Sequence, residues 1–106
     1  MELINFDDLK SELLDIITTN LKEAESEIAA YIDSNKEEIE SWSIGLMNGT
    51  LDKDLVKSMV ENQKNVIEAI LYTYALKLQL DSEEKAQKLA LDVAGKLVQL
   101  VLKVLL

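Results

Sequence analysis

The chain has 106 residues, 29% of them charged, and a formal net charge of -9. That length holds one domain with a modest core. The chain contains no Cys, His or Arg, which excludes disulfides, thiolate metal sites and imidazole catalysis. An acidic chain without arginine is also a poor partner for the phosphates of nucleic acid.

The charge is unevenly spread. Residues 1–54 carry fourteen Asp and Glu against four Lys, and residues 55–106 carry six against seven. Proline is absent, glycine occurs only at Gly45, Gly49 and Gly95, and Leu, Lys, Glu and Ala dominate. Such a composition predicts an all-α fold. The opening "MELINFDDLK" is acidic where a signal peptide is basic and then apolar, so a cytoplasmic location is expected.

The first predicted helix begins at Asn5, a side chain suited to capping the amides of Asp7 and Asp8, whose carboxylates in turn suit the positive end of the helix dipole. Apolar residues then recur mostly every three or four positions, through Phe6, Leu9, Leu13, Ile16, Ile17, Leu21, Ala24, Ile28, Tyr31, Ile32, Ile39, Trp42 and Leu46. This is one stripe of an amphipathic helix over about 5–47. Asn20 and Asn35 interrupt it. At 1.5 Å per residue an unbroken helix of that extent would measure roughly 63 Å, too long for a compact chain of this size. A break is therefore expected at 33–36, where Ser34 and Glu37 form a capping-box pattern.

In "MNGTLDKD", Gly49 is placed to take the left-handed conformation that ends a helix, and Thr50 or Asp52 to cap the next. The second helix is predicted over about 52–80. Its later half, "VIEAILYTYALKLQL", is more apolar than one stripe requires. Asp81 and Glu84 suggest a capping box, and a third helix is predicted over 82–106. The expected fold is thus a single all-α domain: an antiparallel three-helix bundle, or four helices if the first breaks near Asn35, packed as a dimer.

The last helix carries a narrow polar stripe, because Asp92, Lys96, Gln99 and Lys103 fall within about 60° of one another at 100° per residue. Two apolar walls flank it. Leu89, Val93, Leu97, Leu100, Val101 and Val104 form one; Leu91, Ala94, Val98, Leu102 and Leu105 form the other. Fourteen residues from Val93 span roughly 21 Å, short of the roughly 30 Å of a bilayer core. An in-plane membrane helix usually has a wide basic face, which is missing.

Three short helices offer few inward positions for both walls, so the second wall, with Leu76 and Leu80, is expected to meet a second copy of the chain or another protein. The small residues Ala86, Ala90, Ala94 and Gly95 would let helices approach closely. Burial of both walls within one chain is the alternative.

Catalytic constellations are missing. Pairs such as Glu23 with Glu27, or Glu37 with Glu40, share a helix face, yet read better as solvated acidic surface than as a cation site. Asp52 and Asp54 stand at calcium-ligand spacing, but Val56 follows where a ligand should and the turn glycine is missing. Trp42, Tyr72 and Tyr74 sit at helical spacing, which favours packing over a ligand groove. No cofactor and no enzymatic activity are expected.

The sequence therefore reads as a non-enzymatic helical interaction module that self-associates through its last two helices. The alternative is an acidic inhibitor, immunity-type or adaptor protein. In that reading Glu37, Glu38 and Glu40 form a face that attracts a basic protein partner.

Overall fold

A computed structural model describes residues 4–78, 80 and 82–106. The described residues are helical or in short turns, with no strand among them. Five α-helices follow in order: α1 (Phe6–Asn20), α2 (Glu25–Ser34), α3 (Lys36–Asn48), α4 (Lys53–Leu76) and α5 (Glu83–Leu105), with a 3-10 turn, Lys22–Ala24, between α1 and α2.

The count corrects the expectation of three or four helices. The predicted first helix is broken twice, and each break carries an asparagine that returns its side chain to its own backbone. Asn20 Nδ2 donates to the Ile16 carbonyl at 2.8 Å, and Asn35 Nδ2 to the Tyr31 carbonyl at 2.8 Å. An amide side chain that takes over a carbonyl four residues back competes with continuation of the helix. After Asn20 the backbone leaves helical geometry at Leu21 (φ -155, ψ 67), whose amide still bonds to the Ile17 carbonyl. At the second break Ser34 does not act as the expected cap. Its hydroxyl donates to the Tyr31 carbonyl, and Asn35, at the capping position before α3, makes no side-chain capping bond.

The remaining ends follow local chemistry. Asn5 Oδ1 accepts from the Asp8 amide, Asp52 Oδ1 from the Leu55 amide and Ser82 Oγ from the Lys85 amide. Gly49 ends α3 at φ 79, a conformation costly for any residue with a Cβ. Asp81, expected to cap the last helix, lies outside the described residues. Helix α4 closes at Leu76, earlier than the expected 80, because the amides of Lys77 and Leu78 tighten onto the Tyr74 and Ala75 carbonyls.

Helices α4 and α5 make the most extensive contact, and α1 packs on α5 and α2. The α1–α2 reversal sets Lys10 against Asp33, 2.8 Å apart. Ile4 donates its amide to Ser43, a buried hydroxyl, and Lys36 lies over the Phe6 ring, so the start of α1 is tied to α3. Leu9, Ile17, Leu21, Ile28, Val56, Leu71 and Val93 are the large side chains most completely enclosed by the resulting core. The molecule is elongated, 49 × 24 × 19 Å, shorter than the roughly 63 Å of an unbroken first helix.

Candidate functional site

The terminal helix shows how the predicted interface residues are distributed. Ala94, Val98 and Leu105 are buried in the chain's own core, and Leu102 is half-buried. Val93 and Leu97 of the opposite wall are buried too. Most of the wall assigned to a second chain is thus covered from within. The reason is the unexpected reversal at Leu21. It turns one long helix into short segments, so α1 and α4 both pack on α5 and supply inward positions that a three-helix chain lacks. Ala86, Ala90 and Ala94, four residues apart, are 1% exposed or less, so the close approach they permit is made inside the chain.

Three predicted interface residues stay in water. Leu76 and Leu91 are each 43% exposed and Leu80 is 39% exposed. Leu76 and Leu80 border a shallow surface depression that Ala75, Ser82, Glu83 and Ala86 complete, where the end of α4 meets the start of α5.

The predicted acidic face is also partly consumed. Glu37 and Glu38 are exposed in the first turn of α3, and Glu40 is half-buried. Their carboxylates suit the positive end of a helix that has no side-chain cap. Two neighbouring acids in the expected field have partners of their own. Asp33 pairs with Lys10, and Glu27 lies beside the Tyr74 hydroxyl. Glu27 as a hydrogen-bond acceptor comes first among the causes that raise the Tyr74 hydroxyl above its ordinary pKa, followed by burial and the Glu27 charge.

Sequence reasoning missed the cavity. A small apolar pocket of about 50 Å³, partly open to the surface, lies where all five helices converge. Leu13, Ile28, Ile39, Trp42, Val60 and Leu97 represent α1 to α5 in its wall. Trp42, read from spacing as a packing residue, is both buried and in contact with this space. Tyr72 lies instead in an open depression with Asn65, Glu68, Ala69 and Gln87, and Tyr74 carries the Lys77 ammonium 4.7 Å from its ring centroid.

The polar groups of the cavity are Tyr31, Gln63 and Asn35. The Tyr31 hydroxyl donates to Gln63 Oε1, joining α2 to α4. Burial, and then the negative charge of Glu38, push the Tyr31 hydroxyl above its ordinary pKa, so it stays a neutral donor. The signal available in the sequence was slight: Tyr31 and Gln63 are amphipathic or polar residues on the apolar side of their helices.

Among the described residues no three acidic side chains gather as a metal site would require. No described helix is long and apolar enough to cross a membrane. The geometry offers a small, partly open apolar pocket with a hydrogen-bonding rim, and leucines left in water along the α4–α5 hairpin. No known family, curated protein or solved structure matches the chain.

Proposed function

We propose that the chain is a small, non-enzymatic, cytoplasmic interaction module, an antiparallel helical bundle that pairs with a second copy across the outer side of its α4–α5 hairpin. The observation that carries this reading is the exposure of Leu76 and Leu91 on the two longest helices and of Leu80 in the turn between them. A fully buried leucine gains about 1.5 to 3 kcal/mol over an exposed one, and each of these forgoes a share of that in the single chain. A two-fold pairing uses the same patch on both copies.

Light scattering on a sizing column, repeated over a wide range of concentration, tests the proposal. The expected mass is twice that of the 11.9 kDa chain. Leu76→Glu with Leu91→Glu should return the mass to that of one chain and leave the melting temperature close to that of the parent. A monomeric parent at every concentration, or a dimer indifferent to both substitutions, refutes self-association through this surface. Val98→Glu does not serve this purpose, because Val98 is buried and a carboxylate there would unfold the chain.

A second reading rests on Glu37 and Glu38, which are exposed and reached by no salt bridge among the described residues. The chain would then be an acidic adaptor or inhibitor that steers a basic protein onto α3. Reversal of Glu37, Glu38 and Glu40 to Lys should abolish capture of such a partner and preserve helix content. Unchanged capture rejects the steering role.

A further inference from the structure

We infer that the outward face of α3 docks a basic amphipathic helix of a partner protein. The aliphatic residues of that helix cover Ile44 and Met47, and its Lys or Arg residues lie against Glu37 and Glu40. This rests on the second reading above, that α3 attracts a basic protein, and it names the docking surface and the chemistry of the partner.

Helical spacing defines the face. At 100° per residue Glu37, Glu40, Ile44 and Met47 fall within about 80° of one another. Ile39 and Trp42 project from the other side of α3 and are buried. Ile44 is 49% exposed and Met47 is 46% exposed, so two large apolar side chains meet water one turn apart. An amphipathic helix uses such a pair as a foothold, and the flexible methionine adapts to what covers it.

The charge around this apolar step has one sign. From Glu37 to Asp52 the chain carries three Glu and one Asp, and no Lys. Lys36, just before, lies over the Phe6 ring. Neither Glu37 nor Glu40 is reached by a salt bridge among the described residues. The surface that complements this face is therefore one whose apolar residues stand next to basic ones. A second copy offering the same face would set Glu against Glu, and anionic lipid would be repelled, so neither complements it.

The full-length protein is titrated by calorimetry with two helical peptides of about fifteen residues, built from Ala and Lys. One carries Leu at three positions spaced i, i+4 and i+7 on one face; the other has Ala there and the same charge. The leucine peptide should bind more tightly by about tenfold or more. Ile44→Ser with Met47→Ser should bring it down to the level of the alanine peptide and keep the helix content, since both side chains are about half exposed. Should that pair not fold, Met47→Ser alone should lower the leucine preference. Glu37→Gln with Glu40→Gln should weaken both peptides, as should added salt.

Equal binding of the two peptides, lost in the Gln variant, overturns the docking face and leaves the attraction of a basic partner standing. Absence of binding by either peptide overturns both. The inference also fails if Leu76→Ser with Leu91→Ser, and not the α3 pair, removes the leucine preference, which would put the peptide on the hairpin. Loss of a dimer mass in the Ile44 and Met47 variant would assign the face to a second copy, and loss of cosedimentation with phosphatidylglycerol vesicles would assign it to a membrane. Either result overturns the inference.

Discussion

Leu51 folds back over Gly45, its amide donating to the Gly45 carbonyl at 3.0 Å and its side chain occupying the place a Cβ would take. A Cβ built on Gly45 would stand 2.5 Å from Leu51 Cδ1 and 2.6 Å from Cγ. The contact lies where α3 ends and the chain turns toward α4. It explains a glycine inside a helix, a position that otherwise costs stability.

Gly45→Ala should therefore destabilise the fold, by about 1 to 3 kcal/mol, as overpacking does elsewhere. The displaced atoms include the base of the Leu51 side chain, which is tied to its backbone and cannot simply swing aside. Denaturant unfolding with an unchanged slope and an earlier midpoint is the expected result.

Gly95→Ala should act in the opposite direction. A Cβ there meets nothing within 4 Å, and the residue sits inside α5. Helix propensity alone favours alanine by up to about 1 kcal/mol. For a domain near this size that corresponds to a melting temperature roughly 4 to 8 °C higher. Loss of stability in this variant would show that Gly95 serves a contact outside the single chain.

Asp52→Ala removes the acceptor for the Leu55 amide at the start of α4. The expected cost is about 1 kcal/mol. Asp52→Asn keeps an acceptor and should recover most of it, which separates the cap from the charge. Thermal unfolding followed by circular dichroism distinguishes the two substitutions.

The tyrosines predict an alkaline limit. Tyr31 and Tyr74 both have hydroxyl pKa values raised in the folded chain, so the folded state holds those protons more tightly than the unfolded state does. Their contribution to stability is complete below the ordinary tyrosine value of about 10 and is lost as pH rises from there through the raised values. Tyr31→Phe should flatten this part of the stability profile. It also removes the hydrogen bond to Gln63, so the variant should be less stable than the parent at neutral pH. Ultraviolet difference absorbance during alkaline titration follows the ionisation, and unfolding curves at each pH follow the stability.

Local chemistry made much of the fold legible. Asn5, Gly49 and Asp52 mark helix ends because a cap or a left-handed residue acts on amides and carbonyls within a few positions of itself. The break at Leu21 escaped the periodicity for a specific reason. Leu13, Ile17, Leu21, Ala24 and Ile28 are all buried, so the inward residues keep three- and four-residue steps through the reversal. A hydrophobic stripe records which residues face inward and not whether the chain turns between them. "TTN" at 18–20, two β-branched residues before an asparagine, was the weak local signal.

The sequence by itself determined helical content, the main helix ends and the excess of apolar surface on the last helix, since each depends on composition or near-neighbour spacing. Tertiary structure decided where that surface went. The extra turn at Leu21 brings α1 and α4 against α5, burying Ala94, Val98 and Leu105 and leaving Leu76, Leu80 and Leu91 outside. It also decided that Trp42, Tyr31 and Gln63 border one cavity. Residues so far apart along the chain meet only when the helices dock, and docking is set by the shapes of whole faces, which no local pattern encodes.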